Sequence, residues 1–136
     1  MHKTRIAMLI VLALAGCGQR QAEAPVEAAA SAPAASPLGG APVAFAICLS
    51  CHAVKPGVTV IGPSLHGVYG TRAGAVPPDY AFSAALKKSG LVWTDATLDR
   101  WLTSPVTTVP GTYMGYAGQP DRAKRAQIIA YLKTLH

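Results

Sequence analysis

Cys48, Cys51 and His52 fall within five consecutive residues, Cys48-Leu49-Ser50-Cys51-His52, and no second cluster of this kind occurs in the chain. Two thiols and an imidazole this close can serve dithiol exchange, a metal ion or haem attachment. A dithiol site of the thioredoxin type belongs to a βαβ pattern, and the sequence shows no repeat of parallel strands. Zinc takes four ligands, usually as two spaced pairs; His66 and His136 make no second pair. C-x-x-C-H is also the haem attachment motif, in which each thiol adds to a vinyl group and the imidazole coordinates the iron. One motif then anchors both the porphyrin edge and the metal.

An iron held by His52 on one side leaves a second axial position to fill. Beyond the amino-terminal segment that contains Met1 and Met8, the chain has a single methionine, Met114, at the end of Pro110-Gly111-Thr112-Tyr113-Met114. A lone loop methionine is ordinarily a packing residue. Here a ligand is needed, and a Pro/Gly-constrained loop delivers a thioether more freely than a helix face does. His66 lies only fourteen residues past His52 and His136 is the last residue, so both are less well placed.

Helices must position these groups. If Ala41–Ala53 is helical, residues 48, 51 and 52 stand at i, i+3 and i+4 and project from one face. Ile128, Tyr131, Leu132 and Leu135 form one apolar stripe at helical spacing, with Asp121 after Pro120 as its expected cap. Leu98, Trp101 and Leu102 make a shorter stripe, capped at Thr94 or Asp95 and stopped before Pro105. Residues 41–136 hold all of this in one domain, and a domain this small, with thinly spread large side chains, gains from an apolar body to fold around.

The residues ahead of it have other uses. Ile6–Ala15 is an apolar run of ten residues behind His2, Lys3 and Arg5. That is too short for a bilayer, which needs about 20 residues, and matches a signal-peptide core. Leu14-Ala15-Gly16-Cys17 resembles the lipobox of bacterial lipoproteins, which implies cleavage after residue 16 and a diacylglycerol on Cys17. The plainer alternative is a secreted protein with an incidental cysteine. Lipidation also accounts for the odd count of three cysteines in an exported chain. Residues 17–40, rich in Ala and Pro, read as a disordered tether, able to reach about 25 Å as a coil and about 70 Å when extended.

From Phe45 to Leu135 the chain resembles the class I cytochromes c of mitochondrial and soluble bacterial kind. Four landmarks carry this in order: Cys48-Leu49-Ser50-Cys51-His52, Gly62-Pro63-Ser64-Leu65-His66-Gly67, Trp93, and Pro110-Gly111-Thr112-Tyr113-Met114; Ile128–Lys133 matches the last helix. The resemblance implies an all-α fold of three to five helices around one haem c bound through Cys48 and Cys51, with His52 and Met114 on the iron. It further implies that the Pro63 carbonyl accepts from His52 Nδ1, and that Trp93, with Tyr80 and Thr112 as weaker donors, serves the haem propionates. Many relatives have Arg and Tyr where Thr71 and Phe82 stand here, and Arg72 is one place late, so the inner propionate's counter-charge is open.

A closed His/Met site suits a carrier of single electrons rather than an enzyme, working between membrane or periplasmic redox proteins. The resemblance and the lipobox imply a monomeric domain, exported, facing the periplasm and anchored through Cys17, with no nucleic acid or small-molecule substrate. Alternatives are a haem enzyme or gas sensor from which Met114 dissociates, and an electron-entry subunit of a larger complex. Loss of Lys3 and Arg5 takes the formal charge from +6 to about +4, and Trp101–Pro120 contains no Lys, Arg, Asp or Glu. Docking at the haem edge through apolar and hydrogen-bonding contacts is therefore expected, with steering left to Lys55, Lys87 and Lys88.

Overall fold

The computed structural model describes residues 40–136; the apolar leader, Cys17 and the Ala/Pro-rich stretch through residue 39 lie outside the described residues. A 3₁₀ helix over Val43–Ser50 is followed by α1 (Ala84–Lys88), α2 (Asp95–Thr103), α3 (Pro105–Thr108) and α4 (Arg122–Leu132). Among the described residues there is no sheet; a single antiparallel bridge joins Arg72 and Val92. The all-α expectation holds. No described helix is long and apolar enough to cross a membrane.

The first helix is shorter and tighter than the sequence leads one to expect. It starts after Pro42, whose carbonyl accepts from Phe45 N–H at 2.8 Å, and ends at Ser50 rather than Ala53. Cys51, at φ −124°, has left the helical region. In a 3₁₀ helix residues i and i+3 eclipse, which aligns Cys48 with the position just past the helix end. His52 thus lies past the helix end, its N–H still tied to Cys48 O at 2.8 Å while loop contacts hold its ring.

The other elements follow their capping residues. Thr94 forms a capping box at the start of α2: its hydroxyl accepts from Thr97 N–H at 3.3 Å, while its own N–H donates to Thr97 Oγ1 at 2.8 Å. The residue before a proline disfavours helical backbone, and Ser104 is extended at φ −163°, ending α2 ahead of Pro105. Pro105 then occupies the first turn of α3, where its missing N–H costs no hydrogen bond. Asp121 caps α4, accepting from Ala123 N–H at 2.8 Å and Lys124 N–H at 3.2 Å.

The core lies where the 3₁₀ helix, α2 and α4 meet. Phe45 is fully buried and meets Tyr131 edge to face, ring centroids 4.7 Å apart. Ile128 and Leu132 from α4, with Leu98, Trp101 and Leu102 from α2, complete it; Ile129 is buried as well, so α4's apolar face is broader than its stripe. Each such side chain contributes about 1.5–3 kcal/mol on burial. At the surface, Lys133 Nζ meets Asp95 Oδ2 at 2.7 Å, and Tyr69 donates its hydroxyl to the same carboxylate at 2.6 Å. A buried arginine, Arg125, pairs with Asp99 at 2.8 Å between α4 and α2.

Candidate functional site

The segment after the 3₁₀ helix is laced back on itself. The Cys51 carbonyl accepts from both Ile61 N–H (3.1 Å) and Gly62 N–H (2.8 Å), and Ala53 O accepts from Leu65 N–H at 2.8 Å. Ser64, almost wholly buried, donates its hydroxyl to Lys55 O at 2.7 Å and accepts from His66 N–H at 3.1 Å. These bonds set residues 61–66 against residues 51–55 and bring the Pro63 carbonyl 2.7 Å from His52 Nδ1. A carbonyl only accepts, so Nδ1 carries the proton and the neutral ring presents a bare lone pair on Nε2. Burial holds the imidazole below its ordinary pKa, partly opposed by the Pro63 carbonyl, and favours that neutral form.

Gly62 is what permits this approach. A Cβ there would lie 2.4 Å from His52 Cε1, 2.7 Å from Nδ1 and 3.0 Å from Nε2. The bare backbone therefore packs directly on the imidazole face.

Trp93 is placed by a second pair of loops. Gly70 N–H donates to Trp93 O and Trp93 N–H to Thr71 O, each at 2.9 Å, while Ala73 N–H donates to Leu91 O at 2.8 Å. The indole packs on Trp101 of α2 with ring centroids 5.3 Å apart. Among the described residues, no hydrogen bond engages its N–H. The methionine loop leaves α3 with Thr112 N–H on Val109 O at 3.1 Å, and Thr112 Oγ1 accepts from Met114 N–H at 3.3 Å.

All these groups face one cavity of about 700 Å³. Its wall includes Cys48, Cys51, His52, Pro63, Tyr80, Trp93, Thr112 and Met114, so the structure brings together every predicted site residue that it describes. His66 and His136 are not on that wall; His136 Nδ1 instead sits 3.0 Å from Lys133 O. Tyr80's hydroxyl donates to Ile61 O at 3.1 Å, so this donor is spent on the cavity rim. Neither Thr71 nor Arg72 reaches the wall, and among the described residues no Lys, Arg, Asp or Glu lines it. Burial raises the Cys48 thiol to about 11, which keeps it neutral in this apolar setting.

The wall suits a large flat apolar group with a metal at its centre. Phe45, Leu98, Trp101, Leu102, Ile128 and Leu132 supply aromatic and aliphatic surface, the two thiols supply points of covalent attachment, and His52 and Met114, the one imidazole and one thioether among the described wall residues, supply metal donors. The volume falls within the range of cofactor sites, roughly 300–1,000 Å³.

Comparison with known proteins decides the family. Cytochrome c2 of Rhodopila globiformis is 49% identical over 105 residues, spanning 77% of this chain and 98% of that protein. Cytochrome c2 iso-2 of Magnetospirillum fulvum is 45% identical over 95 residues, spanning 70% and 98%. The chain belongs to the class I cytochromes c. A solved structure of cytochrome cH from Methylobacterium extorquens matches with a TM-score of 0.64 at 50% identity, over 67% of this chain and 91% of that one. No family model matches the chain.

As a class I cytochrome c, the chain is a carrier of single electrons with one haem c attached covalently through Cys48 and Cys51. Sequence reasoning passed over several residues that shape the haem cavity. Gly62 stood in a quoted motif without a role, although its smallness is what admits the imidazole. Tyr113 and Tyr116 flank Met114 on the wall, and burial raises the Tyr116 phenol. Alternation of Tyr113, Met114 and Tyr116 along a loop leaves no periodic signal in sequence.

Proposed function

We propose that His52, through Nε2, and the Met114 thioether would both hold the haem iron and together close it to substrate, so that the protein carries electrons and does not act on a substrate. The observation that carries this reading is the shared cavity, whose described wall offers one imidazole and one thioether. The Pro63 carbonyl fixes the imidazole's tautomer and orientation, the usual arrangement behind a metal-bound histidine. The free indole N–H of Trp93 and the hydroxyl of Thr112 serve the propionates, while Tyr80 stays on Ile61. When bound, the haem supplies an iron that changes oxidation state by one electron, and Met/His ligation favours the reduced state. The protein's part is to hold both donors in one place, keep water off the ring through its apolar wall and expose an edge to partners.

The same proposal covers the residues ahead of the domain. Residues 1–16 act as a lipoprotein signal, Cys17 carries the lipid, residues 17–40 tether, and residues 41–136 form the cytochrome domain on the periplasmic side of a bacterial membrane. Support comes from the short apolar run, the Leu14-Ala15-Gly16-Cys17 sequence and the odd cysteine count. Mass spectrometry of the mature protein from a host that assembles c-type cytochromes is expected to give a chain beginning at Cys17 with one haem and one diacylglycerol. A chain cut elsewhere or free of lipid would overturn the anchor and leave the haem reading intact.

Partner docking is read from the cavity rim. Ile61 and Tyr113 line the cavity and are 72% and 76% exposed, and Val106 stands exposed on α3 beside that loop. Lys55, Lys87 and Lys88 are exposed and lie outside Trp101–Pro120 in the sequence. The rate of electron transfer to the native redox partner is expected to change less than about threefold as ionic strength rises from about 10 to 200 mM, where a charge-steered pair slows tenfold or more. A steep decline would show that charge, not this rim, governs docking.

A further inference from the structure

Residues 115–118 donate no backbone hydrogen bond among those described, so the chain leaving Met114 is unsupported until Gln119. There it is fastened tightly. Gln119 N–H donates to Leu102 O on α2 at 2.8 Å, and Gly118, at φ +102°, lies so close to α2 that a Cβ would stand 2.0 Å from Thr103 O. Arg125 completes the attachment from α4. Its Nη1 donates to the carbonyls of Gln119 and Pro120, both at 2.9 Å, while Nε and Nη2 donate to Asp99 on α2 at 2.8 and 3.4 Å.

Arg125 is 7% exposed, in a place where most of the molecule's charged side chains are not. Burying a guanidinium is costly unless its donors are met, and here a carboxylate and two carbonyls meet it. Those carbonyls belong to the first fixed residues after Met114. We infer that Arg125, held by Asp99, is a positioning residue for Met114: it clamps the downstream end of the methionine loop to α2 and thereby limits how far the thioether can withdraw from the haem. The inference rests on the proposed ligation by Met114. A lysine cannot reproduce the clamp, because its single ammonium lacks the planar fork that spans a carboxylate and two carbonyls at once.

The second ion pair between these helices provides the control. Lys133, the residue just past α4, and Asp95 also join this end of α4 to α2, and no described hydrogen bond or ion pair links either to the methionine loop. The test uses full-length oxidised holoprotein and added imidazole, which competes with the thioether for the iron. Asp99→Asn and Arg125→Lys are each expected to raise imidazole affinity about tenfold, the equivalent of one weakened charge-assisted hydrogen bond, and to weaken the long-wavelength sulfur-to-iron absorption band. Asp95→Asn is expected to change neither. Wild-type imidazole affinity in both clamp variants, or an equal rise in Asp95→Asn, would overturn the inference, the latter by showing that any loosening of the α2 and α4 pair suffices. Asp99→Asn keeps the side chain's shape, so it decides the matter alone if Arg125→Lys does not fold. Wild-type protein without the sulfur-to-iron band would sink the ligation itself and the clamp with it, a result distinct from a wild-type band that the clamp variants leave unchanged.

Discussion

Gly62→Ala is expected to lower the yield of haem-loaded protein several-fold and to destabilise what remains by about 1–3 kcal/mol, the usual cost of forcing extra volume into a packed site. The added methyl would need to occupy space 2.4 Å from His52 Cε1. It cannot be relieved by a flexible neighbour, because the ring is tied to Pro63 O at 2.7 Å and the Gly62 backbone is tied to Cys51 O at 2.8 Å. Either the imidazole moves, and its Nε2 with it, or the loop does, and the Pro63 carbonyl is lost. Haem content per polypeptide and the urea midpoint measure the two effects. A Gly62→Ala protein with full haem content and wild-type stability would mean that the imidazole does not press on this backbone.

Met114→Ala is expected to convert a closed site into an open one. Reduced wild-type protein should bind carbon monoxide slowly or not at all, because the thioether must leave first; the variant should bind it rapidly. Its reduction potential is expected to fall by on the order of 0.2 V, a fraction of the roughly 0.8 V that axial ligation spans. Among the described residues no second thioether or imidazole stands on the cavity wall beside Met114 and His52; His66 and His136 lie off it. A variant with an unchanged potential and an iron still closed to carbon monoxide would assign the sixth position to another group. Rapid binding by the wild type would favour the gas-sensor or enzyme alternative instead.

Some of this was legible because the relevant physics is local. Haem attachment needs two thiols and an imidazole at fixed short spacing, and residues 48–52 state it outright. Helix limits were set by neighbours in the chain: Thr94 and Asp121 cap where expected, and Pro105 stops α2 by restricting Ser104. Met114 emerged by elimination among few donors. Where local rules misled, a tertiary contact intervened. The helix expected over residues 41–53 ends at Ser50, and the loop lacing of residues 61–66 orients the His52 ring that the helix end alone would not.

The amino-acid sequence by itself determined the covalent chemistry, the helical class and the small set of side chains able to meet an iron, since these depend on residue type and on spacing within a turn or two. Only the tertiary structure decided which backbone lies against the imidazole, that Tyr80 spends its hydroxyl on Ile61, that no charged side chain among the described residues lines the cavity, and that Arg125 grips the far end of the methionine loop. Each of those is a contact between residues distant in the chain. Such contacts are set by how the helices and loops pack around a common centre, and spacing along the chain does not encode them.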